Sequence, residues 1–112
     1  MHEQLPDFDM PSDEQVDLAA ETFRLLADPT RVKILWAIRD RGADVTTLAA
    51  AAGCGPTVAS QHLSKLRFAG LVEGVRDGRR VVYRIRGGHV RRLLEEALFH
   101  ADHQVTGEPV HD

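Results

Sequence analysis

Apolar positions in this chain group into five helix-like segments and two strand-like runs. Ser12 followed by Gln15 has the form of a capping box. The helix it opens would place Val16, Ala19, Ala20, Phe23, Leu26 and Ala27 on one face. Asp28-Pro29 ends that helix and begins the next, with the aspartate as cap and the proline in the first turn. The second helix, Thr30 to about Arg39, carries Val32, Ile34, Leu35, Trp36 and Ile38 and reads as buried on most sides. After a turn over Asp40–Asp44, Thr46 is expected to cap a short helix, Thr47–Ala52, that stops at Gly53. Gly53-Cys54-Gly55 is a tight turn, and Pro56 opens a further helix running to about Ala69, with Gly70 as its stop. Two β-rich runs follow, Leu71–Val75 and Val81–Ile85, with a hairpin signal at Asp77-Gly78. Gly87-Gly88 breaks the chain before a last amphipathic helix, His89 to about His103. Residues 1–11 read as a loose acidic arm, 12–104 as one domain and 105–112 as a tail.

A short helix, a glycine-bearing turn, a second helix and a β-hairpin, in that order, make a winged helix-turn-helix. The expected fold is therefore mainly α (α+β), with about five helices and a two-stranded wing. On the helix after the turn, Ala59, Leu63, Leu66 and Gly70 share the inward face. Thr57, Ser60, Gln61 and Ser64 then face outward, as small polar side chains able to approach base edges in a major groove. Lys65 and Arg67 are placed for phosphates, and Arg76, Arg79 and Arg80 for the backbone or minor groove at the hairpin tip. His62, beside Leu63, reads as a partly buried histidine bonded to backbone.

Charge sharpens this picture. The net charge of −3 hides three blocks. Residues 1–29 hold eight acids and one base, residues 30–92 thirteen bases and four acids, and residues 93–112 five acids and no Lys or Arg. A basic middle between acidic ends suits a polyanion such as double-stranded DNA. The single cysteine allows no intrachain disulfide, and no apolar run is long enough for a membrane helix, so a cytoplasmic protein is expected. No acid/base pair, glycine-rich phosphate loop or activated nucleophile points to an enzyme.

The last helix adds a second pattern. Val90, Leu93, Leu94, Ala97, Leu98 and Ala101 form an apolar stripe, expected to be a dimer face. His89, His100 and His103 lie on a strip beside it. His89 and His100 point the same way but stand about 16 Å apart along the axis, too far for one metal within one helix. An antiparallel second copy, with its two-fold axis near Leu94 and Glu95, would set His89 of one protomer against His100 and His103 of the other, giving two sites.

The segments FRLLADPTRVKILWAI (23–38), TTLAAAAG (46–53), TVASQHLSKLRFAGLV (57–72) and RDGRRVVYRI (76–85) resemble the ArsR/SmtB winged-helix metalloregulators. The resemblance implies a cytoplasmic homodimer that binds operator DNA and changes affinity with an effector. One family site uses a Cys-x-Cys pair where this chain has Asp44-Val45-Thr46, so no thiolate-rich site is available. The family's paired site on the last helix matches His89, His100 and His103, while its acid falls on Gly87. The chain looks most like actinobacterial nickel/cobalt sensors, which implies Ni(II) or Co(II) as effector, with Zn(II) binding in vitro. His111 is the first candidate for an extra donor from the termini, followed by Asp102, Asp112 and His2. The alternative expectation is a regulator of the same family answering to a non-metal signal or to a partner protein.

Overall fold

A computed structural model describes residues 9–107. Five helices and one two-stranded antiparallel sheet follow in the order α1 (Asp13–Leu26), α2 (Pro29–Ala37), α3 (Val45–Ala52), α4 (Pro56–Phe68), β1 (Val72–Asp77), β2 (Arg80–Ile85) and α5 (His89–Thr106).

The caps set most boundaries. Gln15 N–H donates to Ser12 Oγ (3.1 Å) while Ser12 N–H donates to Gln15 Oε1 (2.9 Å), the reciprocal pair expected for α1. Asp28 accepts the Arg31 N–H at 3.1 Å and opens α2. α3 departs from expectation: its cap is Asp44, which accepts the Thr47 N–H at 3.0 Å, and not Thr46. The cause lies upstream. Ala43 exchanges two backbone hydrogen bonds with Tyr83 (3.0 and 2.8 Å), which holds the chain extended up to the aspartate and lets the helix begin immediately after it. Gly53, at φ 71°, closes α3 in the left-handed region that favours glycine.

The hairpin turn also sits one residue later than the Asp77-Gly78 signal. Asp77 pairs with Arg80, so the loop is Gly78-Arg79, with the positive φ (66°) at its first position only. α5 runs past His103 to Thr106, where Gly107 N–H donates to the His103 carbonyl (2.8 Å).

The core is formed by Ile34, Leu35 and Ile38 of α2 and its end, Leu48, Ala49 and Ala52 of α3, and Ala59, Leu63 and Leu66 of α4, closed by Val72 and by Leu94 of α5. These residues lock α3 and α4 at a fixed angle, which is what a helix-turn-helix must do. α1 buries none of its residues within the protomer.

The stripe assigned to α5 splits in two. Val90 and Leu94 are buried in the protomer's own core region and Leu98 packs against it, so they are not a free seam. The large apolar residues these two helices leave exposed are Leu93, Phe99 and Val105 on α5 and Val16, Leu18 and Phe23 on α1, and the stripe's Ala97 and Ala101 are exposed as well. The expected consequence is testable. Leu94→Glu should unfold the protomer, because it drives a charge into the core. Phe23→Glu combined with Phe99→Glu should leave the helical circular dichroism intact while sedimentation shows a monomer.

Candidate nucleic-acid interface and effector helix

α4 presents its polar residues as the pattern required. Ala59, Leu63 and Leu66 are buried, and Thr57, Ser60, Gln61 and Ser64 are exposed. With Pro56 and Val45, these four polar side chains line one open groove between the two helices of the motif. Gly55 caps α4 without a side chain, so the first N–H groups of the helix carry no side-chain cap. Lys65 and Arg67 are exposed on the last turns of α4. Phe68 follows them at 96% exposure.

His62 is half-buried, but its partner is not backbone. Arg31 Nε donates to His62 Nδ1 at 3.0 Å, and the same guanidinium donates through Nη1 to the Leu25 carbonyl at 3.3 Å. Arg31 thus joins the last turn of α1 and the first turn of α2 to the middle of α4. A pair 31 residues apart leaves no mark in periodicity, and only the capping role of Asp28 at its side was readable. Arg31→Ala would leave a half-buried imidazole without its donor. A loss of about 1 kcal/mol is expected in urea denaturation, with weaker discrimination between DNA sequences. Equal specificity in the variant would show that Arg31 does not position the reader helix.

The wing holds its arginines in two different ways. Arg76 and Arg79 are exposed, with no carboxylate at ion-pair distance among the described residues. Arg80 is tied down: its Nη1 lies 3.3 Å from Asp44 and its Nη2 3.6 Å from Asp77. Its bond to Asp44 fastens the hairpin to the start of α3, so Arg80 serves the wing's position as well as its charge. Asp44 is held below the ordinary carboxylate range, chiefly by the Thr47 N–H, then by the Thr47 hydroxyl and Arg80, against the opposing effect of burial. Asp28 is lowered in the same direction, first by the Arg31 N–H. Both carboxylates therefore stabilise the fold above the ordinary aspartate range, and that contribution is lost as the pH falls through their lowered values.

On α5, His89 is the first helical residue, with Nδ1 3.1 Å from Arg92 Nη2. His100 is exposed and His103 half-buried. Asp102 is exposed one residue before His103. Among the described residues, no three His, Cys, Asp or Glu side chains of one protomer converge on a metal-sized site. His2, His111 and Asp112 lie outside the described residues. Gly87 has φ +77°, in the left-handed region, with open space where a Cβ would stand. An acid there would have to accept a backbone that L-residues rarely adopt. Cys54 is half-buried in the turn between α3 and α4, far in sequence from the histidines. Among the described residues, no helix is long and apolar enough to cross a membrane.

This architecture recurs in known proteins. A family model described as a helix-turn-helix domain matches residues 26–75. The HTH-type transcriptional regulator KmtR of Mycobacterium tuberculosis is 48% identical over 99 residues, which are 88% of this chain and 76% of that protein. The AntR antimony-specific transcriptional repressor superposes with a TM-score of 0.81 at 32% identity, over 90% of this chain and 92% of that one. A homodimeric winged helix-turn-helix DNA-binding domain from Mycobacterium bovis, described as a possible ArsR-family regulator, gives 0.76 at 32% identity. That comparison covers 94% of this chain and all of the other (100%). The first is a transcriptional regulator and the second a transcriptional repressor. Because the likeness takes in the wing and most of both terminal helices as well as the reader motif, the chain belongs to the ArsR/SmtB family of winged helix-turn-helix DNA-binding transcription regulators.

Proposed function

We propose that this regulator works as a homodimer whose operator affinity is set by Ni(II) or Co(II) held between the two copies of α5. The observation that carries the reading is the placement of His89, His100 and His103 on one uninterrupted helix. Eleven residues between the first two is close to three whole turns, so the imidazoles share a side without sharing a site. An antiparallel partner helix supplies the missing half. The exposed apolar residues of α1 and α5 give such a partner something to bury.

The donor set fits the metal. Three neutral imidazoles with oxygen donors suit nickel or cobalt in higher coordination. Gly87 supplies no side chain, so the set lacks one ligand for a closed tetrahedral zinc site. Tail residues His111 and Asp112, with Asp102 and His2 ranking below His111, are the proposed sources of the remaining donors. A bound metal would hold the two α5 helices at one mutual position.

The chain's own residues do the rest. Thr57, Ser60, Gln61 and Ser64 read base edges. Lys65, Arg67, Arg76, Arg79 and Arg80 engage phosphates. Leu94 anchors α5 in the same core that seats α3 and α4, so a change in how two α5 helices meet changes the spacing of two α4 helices. That spacing must match two half-sites about one helical turn of DNA apart. Metal and operator are then coupled through their different affinities for the two spacings. Titration calorimetry with nickel tests the reading. Two equivalent sites per dimer are expected, with affinity lower in acid than at neutral pH, because protons compete with metal for ligand nitrogens. Absence of nickel binding at pH 7.5 would favour a regulator of the same family answering to another signal.

A further inference from the structure

A cleft of about 400 Å³ lies on the edge of the protomer where the end of α2, the base of the wing and the start of α5 meet. Four arginines line it, Arg39, Arg41, Arg84 and Arg91, with Asp40 as the acid among them. None of these residues belongs to the reader helix, the wing tip or the histidine strip.

Two of the arginines are held in place. Arg39 stacks on Trp36, with its guanidinium carbon 3.8 Å from the ring centroid, and donates to the Trp36 carbonyl at 2.9 Å. That bond occupies one of the carbonyls at the negative end of α2. Arg91 lies 2.9 Å from one oxygen of Asp40 and 3.5 Å from Glu95, while Arg39 lies 3.5 Å from the other Asp40 oxygen. Asp40 thus clamps the arms from α2 and α5 together.

The other two carry unspent charge. Among the described residues, Arg41 and Arg84 have no carboxylate at ion-pair distance, although Glu73 faces Arg84 across the hairpin. The Ala43–Tyr83 bridge brings the segment with Arg41 beside the strand with Arg84. Each guanidinium offers five N–H donors in a fork that fits two oxygens of a phosphate. Four cations against Asp40 and Glu95 leave an excess of positive charge in a concave site of ligand size.

We propose that this cleft binds a phosphate group, with Arg41 and Arg84 as the gripping pair and Arg39 and Arg91 as preset walls. The favoured source is a small free molecule carrying a phosphate or diphosphate. The cleft sits at the base of β2, four residues from Arg80, or about 13 Å along the strand from the end that faces DNA. An occupant would bridge the α2–α3 connection, β2 and α5, and so would lock the wing base to the effector helix.

Titration calorimetry of the full-length protein with pyrophosphate at low ionic strength tests this. One pyrophosphate per protomer is expected. Binding should weaken at least ten-fold in Arg41→Gln with Arg84→Gln, and should persist in Arg76→Gln with Arg79→Gln. Arg41→Gln alone, on an exposed connection, serves if the double variant does not fold, and should weaken binding severalfold. Loss of pyrophosphate binding in the wing variant but not in the cleft variant would overturn the proposal. No pyrophosphate binding, but a shallower salt dependence of DNA binding in the cleft variant, would assign the same phosphate chemistry to the DNA backbone. No effect in either assay would overturn it.

Discussion

Replacing His89 or His100 by alanine should each remove most of the metal response, and mixing the two variants should restore one metal site per mixed dimer. The reason is geometric. Within a protomer the two imidazoles stand three helical turns apart on α5, about 16 Å, and no metal spans that distance. A site shared across the two-fold takes His89 from one protomer and His100 with His103 from the other. A dimer with His89→Ala on one chain and His100→Ala on its partner keeps one complete set and spoils the other. Calorimetry on the isolated mixed dimer should therefore show one nickel where each homodimeric variant shows almost none. No metal on the mixed dimer, or normal binding by the single variants, would remove the cross-protomer site. The single substitutions should leave apo-protein DNA binding unchanged, since neither histidine is part of the core.

Neutralising Arg76 and Arg79 should be the most damaging change for DNA binding that leaves the fold intact. Both are exposed on the wing and neither has an acid partner among the described residues, so both charges are available to phosphate. Each lost phosphate contact flattens the dependence of log K on log salt by about 0.9, so four arginines per dimer should remove roughly 3 to 4 units of slope. Affinity near physiological salt should fall on the order of a hundred-fold for every sequence alike. Gln61→Ala should behave differently and lose discrimination at particular base pairs. Arg80 is the wrong residue for the first test, because its loss also frees the wing from Asp44. Unchanged affinity and slope in the Arg76/Arg79 variant, measured by fluorescence anisotropy across a salt series, would show that the wing does not touch DNA.

Much of this was readable from residue order because the relevant signals are local. The Ser12–Gln15 box, Asp28-Pro29, the Gly53 stop and the alternation around β2 each act within four residues. The polar face of α4 follows from the spacing of Ala59, Leu63 and Leu66 alone. The features that escaped reading depend on distant partners. Asp44 displaced Thr46 as the cap of α3 because Ala43 is pinned to Tyr83, forty residues away. Arg80 reaches back to Asp44 and Arg31 reaches forward to His62, and neither link has a periodicity. The stripe on α5 was visible as apolar, but periodicity cannot say which apolar residues face the protomer's own core. Leu94 went inward and Phe99, omitted from the stripe, stayed outside.

Metal and operator coupled through one dimer should each change the protein's affinity for the other. The direct measurement is a DNA titration of the full-length protein, by fluorescence anisotropy, on duplex from its own upstream region with and without nickel. Coupling of the usual size predicts a change in operator Kd of about 5- to 150-fold. By reciprocity, the nickel affinity of the DNA complex should differ from that of the free dimer by the same factor. An operator Kd that stays the same while calorimetry shows both metal sites filled would contradict the account.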